Sequence, residues 1–281
     1  MDWRNLTTDE LEQQFNPREA ATDFAAKLAE MQALSAAARD RMPGRYDIRF
    51  GDGANETLDV FPADPPGGPL HVFIHGGYWR ALDKQDYSAV AEPLVAAGAT
   101  VVCLNYDLCP DVSLDVIVEQ AIRGISYVAR NAADLGGDAD RLFVSGHSAG
   151  AHLCAMALAH DWTVEGLPGD LIKGAVLVSG IYDPEPARHI SVNKQIQLTP
   201  EIVALTDATA RSPRGGAKVL VAAGGDEPEA WIAQSADYQR HIGGNSELTI
   251  VADCDHFDIS LATADRETPL CRATITQMGL A

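Results

Sequence analysis

Gly146-His147-Ser148-Ala149-Gly150 sets a serine between two glycines in a G-x-S-x-G spacing. Such a spacing is weak evidence alone, so its context decides what it means. The apolar run 142–144 before it reads as a strand, and 151–159 after it reads as a helix. Ser148 then falls on a sharp strand-to-helix turn, which needs small neighbours and presents the hydroxyl at the top of a sheet. The same turn puts the Ala149 N–H at a helix N-terminus, where negative charge is stabilised.

A serine hydroxyl is a poor nucleophile until a base takes its proton and a carboxylate orients that base. On a strand–turn–helix scaffold the chain order is nucleophile, acid, histidine. Only His241 and His256 lie far enough downstream. His241 sits in Y-Q-R-H-I-G-G, the end of a helical stretch, whereas His256 sits in C-D-H-F-D just past the strand-like L-T-I-V. His256 is the expected base. Asp226, after K-V-L-V-A-A-G-G, is the expected acid, with its neighbour Glu227 as the competitor. Asp253, Asp255 and Asp258 are expected to face solvent. His75-Gly76-Gly77-Tyr78-Trp79 follows the strand-like L-H-V-F-I, and glycines there let backbone N–H groups approach a substrate oxygen. Gly77 and Ala149 are the expected oxyanion donors, with Gly76 in support and His75 orienting the loop. Together these residues predict acyl transfer through a serine nucleophile.

The elements that must position them alternate along the chain. Short apolar strands are expected at 70–74, 100–104, 141–145, 174–178, 218–222 and 248–251, and helices at 85–97, 114–131, 149–159 and 229–241. That rhythm predicts an α/β class, with a mostly parallel central sheet covered by helices on both faces. Alternating runs at 46–50 and 57–61, separated by G-D-G-A-N, predict an antiparallel hairpin leading into it. Residues 1–44 read as a helical segment with Thr8 as an N-cap. The whole of 1–281 is expected to form one domain. The stretch 181–213, rich in proline and weak in periodicity, is expected to be a short cap over the site.

Composition narrows the partners. The 281 residues carry a formal charge of −19, from 40 acidic against 21 basic side chains. Phosphate binding relies on Lys and Arg, so nucleic acid and anionic membranes are disfavoured. No apolar run approaches the length of a membrane helix, and the N-terminus lacks the pattern of a signal peptide. Five cysteines without a C-x-x-C pair argue for a reducing cytoplasm and against a zinc site. No H-E-x-x-H pattern occurs, so no metal and no cofactor is expected. The expected partner is a small-molecule substrate, and a homodimer is compatible with the sequence.

Beyond these readings, H-G-G-Y-W with Lys84 in the following loop, N-Y-D-L-C-P, G-H-S-A-G-A-H and D-H-F resemble the arylformamidase (kynurenine formamidase) family. This is a branch of the α/β-hydrolase superfamily related to hormone-sensitive-lipase-type esterases. E-L-E-Q-Q-F-N-P, G-I-Y-D-P-E-P and G-D-E-P-E-A-W-I-A-Q-S extend the resemblance over most of the chain. It implies an α/β-hydrolase fold and metal-independent hydrolysis of N-formyl-L-kynurenine to formate and kynurenine, a step of tryptophan breakdown. By position it implies Ser148 as nucleophile, Asp226 as acid and His256 as base, the D-x-P-E pattern favouring Asp226 over Glu227. Tyr78, Trp79 and Tyr182 are expected to flank an aromatic leaving group. Arg188, His189 and Lys194 are basic candidates in the 181–213 stretch. A short-chain carboxylesterase would use the same residues, whereas a catalytically silent binding protein would not need the full set.

Overall fold

The computed structural model describes residues 3–281. Eight strands form one sheet: β1 (Arg45–Arg49), β2 (Thr57–Phe61), β3 (Gly68–Ile74), β4 (Thr100–Leu104), β5 (Gly137–His147), β6 (Ile172–Val178), β7 (Lys218–Gly224) and β8 (Ser246–Val251). Their order across the sheet is β1-β2-β4-β3-β5-β6-β7-β8. The hairpin strands pair antiparallel, as do β2 and β4, and the other five pairings are parallel. Central strands such as β4 and β6 are almost wholly buried, because helices cover both faces and leave no polar side to the sheet.

Helices follow the strands where the sequence places them, at Leu114–Arg130, Ala149–Ala159 and Glu229–Ile242. The expected helix at 85–97 divides into a 3₁₀ segment, Lys84–Val90, and a short α-helix, Ala91–Ala96. Asp83 caps that segment through Gln85 N–H, and Lys84 is buried beneath it. Lys84 Nζ lies 2.7 Å from Asp47 and 3.4 Å from Asp59, and the fully buried Asp59 also accepts from Arg39 at 2.6 Å. A carboxylate removed from water needs such partners, and these fix the loop after β3 to the hairpin.

The N-terminal segment forms three helices, α1 (Thr8–Phe15), α2 (Pro17–Ala20) and α3 (Phe24–Arg41). The cap of α1 is Thr7, one residue earlier than expected, in a capping box with Glu10. Pro17 opens α2 at a position where its missing N–H costs nothing. Met31, Ser35 and Ala38 bury one side of α3.

The stretch 181–213 does not line the site as a cap; it packs into the body of the molecule and reaches the loop after β3 through Gln195, which accepts from Arg80. Its apolar side chains, among them Ile190, Ile196, Leu198 and Val203, join the main core. Its polar groups instead support the N-terminal segment, Ser191 N–H donating to Glu12 at 2.7 Å. Arg188 and His189 both lie against Glu185, which accounts for two of the basic candidates there.

Candidate active site

The site is built at the carboxyl ends of β3, β5, β7 and β8. Ser148 follows β5 directly and adopts φ 56°, ψ −116°, a conformation that L side chains rarely hold. The turn persists because its surroundings determine it. Ser148 N–H donates to Val178 O on β6 at 2.8 Å, and its carbonyl accepts from His152 N–H at 3.2 Å. A Cβ on Gly146 would sit 2.3 Å from Gly150 C, and one on Gly150 would sit 2.0 Å from Ile74 O. The two glycines therefore allow β3, the turn and the following helix to cross at backbone contact.

The histidine comes from the loop after β8. His256 is buried, with Trp231 edge-on at 4.9 Å and His147 tilted against it at 4.6 Å. Its Nδ1–H donates to Glu227 Oε1 at 2.6 Å. That bond fixes the tautomer whose Nε2 can accept a proton. Gly224 N–H donates to the other Glu227 oxygen at 3.1 Å. His147 Nε2–H donates to His256 O at 2.8 Å and so holds the loop from below. Burial, with His256 beside it, keeps His147 well below the usual histidine range, and it is a neutral donor.

Asp226 does not occupy the acid position. Its side chain is exposed, and its backbone N–H donates to Cys254 O at 3.0 Å. Glu227, 5% exposed, turns inward instead. The physical reason is local: Gly224 is pressed so close to Cys254 that a Cβ would lie 2.3 Å from its carbonyl, and the turn that follows sends consecutive side chains to opposite sides. Asp255 is likewise not a free surface group. Its carboxylate accepts from Lys27 Nζ of α3 at 2.6 Å, and Asp258 accepts from the same ammonium at 2.7 Å.

The loop after β3 supplies the oxyanion candidates. Gly77, Tyr78 and Trp79 have φ of 116°, 54° and 56°, and Arg80 N–H closes the turn on Gly77 O at 3.1 Å. At Gly77 glycine is needed for space as well as for φ, since a Cβ would lie 2.0 Å from Ala81 O. Gly76 packs under Ser148, where a Cβ would stand 3.3 Å from that of the serine. His75 Nδ1–H donates to Gly76 O at 2.7 Å and its ring stacks on Tyr106 at 4.3 Å. Ala149 begins the helix Ala149–Ala159, and a first helical N–H has no partner within its own helix.

Ser148, His147, His256 and Gly77 open into a narrow cleft of about 30 Å³. Tyr78 lines it, with its hydroxyl donating to Phe15 O at 2.9 Å. Trp79 and Tyr182 do not. Trp79 is wholly buried against His152, and Tyr182 is stacked on Tyr238 at 4.1 Å within the core. Both aromatics belong to packing, because the left-handed turn at Tyr78–Trp79 and the core-filling start of the 181–213 stretch direct them inward. The outer wall is Asn16, Pro17, Arg18 and Phe24, with Arg80, Leu82, Tyr87 and Phe257. The N-terminal segment thus takes the place expected of 181–213. The arginines were missed in the sequence because neither lies in a motif; the F-N-P-R junction was the signal available. No group of three or more His, Cys, Asp or Glu that could hold a metal ion occurs among the described residues, and no helix among them is long and apolar enough to cross a membrane.

The family described as the alpha/beta hydrolase fold matches residues 71–257, which span the glycine loop after β3, the Ser148 turn and His256. The crystal structure of a Silicibacter sp. TM1040 protein superposes with a TM-score of 0.84 at 27% identity, covering 94% of this chain and 99% of that one. A Pyrobaculum calidifontis esterase superposes with a TM-score of 0.69 at 20% identity, covering 98% of each chain, a likeness of fold alone. Fold and site define a hydrolase of the α/β-hydrolase class. The chain is 32% identical to the kynurenine formamidase of Danio rerio, over 99% of both chains, and 31% identical to that of Salmo salar, over 99% of this chain and 98% of that one. It belongs to the kynurenine formamidase family.

Proposed function

We propose that the protein is a serine hydrolase that cleaves an aryl formamide, N-formyl-L-kynurenine, to formate and kynurenine through a formyl-enzyme. The observation that carries this reading is the His256–Glu227 pair opening, beside the strained Ser148, into a narrow cleft lined by Gly77 and Tyr78. A narrow cleft suits a small acyl group and leaves the bulk of the substrate at the mouth. Full-length likeness to kynurenine formamidases supports the substrate.

In the proposed mechanism Ser148 Oγ attacks the formyl carbon while its proton passes to His256 Nε2. Glu227 stabilises the imidazolium that forms. Charge on the carbonyl oxygen is met by the N–H groups of Gly77 and Ala149, each such donor being worth about 3 kcal/mol in the transition state. His256 then protonates the departing aryl amine as the C–N bond breaks. A water, deprotonated by His256, attacks the formyl ester and releases formate, returning the proton to Ser148.

The same cleft admits an acetyl group, which favours short-chain esters as a second substrate class. The deciding experiment measures kcat/KM for N-formyl-L-kynurenine beside p-nitrophenyl acetate on one preparation. A formamide value above about 10⁴ M⁻¹s⁻¹ is expected. Negligible formamide turnover with good ester cleavage would discard the formamide and keep the nucleophile.

A further inference from the structure

Two guanidinium groups stand at the mouth of the cleft, Arg18 from α2 and Arg80 from the loop after β3. The chain has 40 acidic side chains against 21 basic, and arginines 39, 41, 123, 188, 214, 240 and 272 each face a carboxylate. Among the described residues neither Arg18 nor Arg80 does. Arginines 45, 49, 141 and 211 also lack a carboxylate partner, but of these six Arg18 and Arg80 are the ones that line the cleft. Arg80 is half-buried, its Nη1 donates to the neutral Gln195 amide, and its Nε is buried with no partner. Gln195 orients the guanidinium without neutralising it. The Arg18 guanidinium lies 4.8 Å from the ring centroid of Phe24, itself a wall of the cleft. Burial lowers the Arg80 pKa, and the like charge of Arg18 lowers it further, so the two feel one another. Two cations placed together, unneutralised and with donors to spare, form a site for a planar anion.

We propose that Arg18 and Arg80 read a carboxylate on the leaving-group side of the substrate, so that the cleft selects substrates carrying a carboxylate beyond the scissile bond. The small inner cleft takes the acyl group, and the arginines hold the other end at the rim. This deepens the function proposed above and rests on it only for the direction in which the substrate enters.

The test separates recognition from chemistry by measuring binding on a protein that cannot turn over. In a Ser148→Ala background, calorimetry gives Kd for N-formyl-L-kynurenine and for its carboxamide. Adding Arg80→Met is expected to weaken the acid by about 10- to 100-fold more than the amide, the range of a lost charge-assisted hydrogen bond. Arg18→Met, at an exposed position, should shift the same ratio by about 3- to 10-fold. Equal weakening of both ligands, an unmoved ratio, or no binding of either would overturn the proposal. If wild-type protein leaves the formamide intact while the ratio moves as expected, the formamide reading fails and the arginine pair stands.

Discussion

The carboxyl end of the sheet and the N-terminal segment that covers it are held together by different means. At the sheet, Ser148 keeps a strained backbone because Gly146 and Gly150 let main chains cross with no room for a methyl group. In the cover, α1–α3 make polar attachments: Tyr78 to the Phe15 carbonyl, Ser191 to Glu12, and Lys27 to Asp255 and Asp258. Close-packed crossings are all-or-none, whereas polar attachments are graded. Ser148, His256 and Glu227 are placed by the first region, and the outer wall of the cleft is shared between the second and the loop that carries Arg80.

That contrast can be broken at several points. Ser148→Ala should lower kcat by about 10⁴- to 10⁶-fold with Tm unchanged, and should abolish labelling by a fluorophosphonate. Retained turnover would remove the nucleophile from the sheet. Glu227→Gln should cost about 10³- to 10⁴-fold in kcat, since an amide no longer fixes the histidine tautomer or stabilises its charge. A larger loss from Asp226→Asn than from Glu227→Gln would return the acid role to Asp226.

On the cover side the effects are smaller and fall on stability. Lys27→Met should destabilise by about 1 kcal/mol, a Tm loss of about 2–4 °C. Burial alone would raise the Asp255 pKa, but the Lys27 ammonium and the N–H groups of Asp258 and Phe257 outweigh it and hold the carboxyl below its usual 3.8. The Lys27 pKa is raised above its usual 10.5 by the same carboxylates, against the opposing pull of burial. The stability of the wild type over the variant should therefore be complete between about pH 4 and 10. It should vanish as acid protonates Asp255 below 3.8, and as base deprotonates Lys27 above 10.5. Urea unfolding at pH 3, 7 and 11 reads this directly, and a difference independent of pH would mean that Lys27 acts by packing alone. Smallest of all, Asp226→Asn should change kcat/KM and Tm hardly at all, within about twofold in rate, as for other exposed side chains.

Legibility in the sequence follows the same division. The Ser148 turn and the glycine loop were readable because backbone crossings impose small residues at fixed spacing, and His256 because it follows the strand-like L-T-I-V. The central strands, β3 to β7, were readable because burial on both faces makes them short continuous apolar runs, whereas β8, expected from the same kind of run, is an exposed edge strand. Asp226 and Glu227 could not be told apart, since adjacent residues point to opposite sides and only the packing of Gly224 against Cys254 decides which one turns inward. The resemblance favoured Asp226, whereas the structure bonds Glu227 to His256. Trp79 and Tyr182 were misplaced because an aromatic beside a site looks alike in sequence whether it faces the cleft or the core. Arg18 and Arg80 each directly follow a motif, F-N-P and H-G-G-Y-W, but sequence does not show that the two meet at one cleft without a carboxylate.

The ammonium of Lys27 has a consequence for the order in which the protein is made. It joins residues 228 positions apart, Lys27 to Asp255. At roughly 5–20 residues per second on a ribosome, about 10–45 s separate the synthesis of one partner from that of the other. Helix α3 can settle on the Lys84–Val90 segment much earlier, through the Ser35 hydroxyl on Asp86 O and the Ala89 N–H on that hydroxyl. The loop that carries His256 emerges well after the Lys84–Val90 segment, and it arrives at a clamp already assembled on α3.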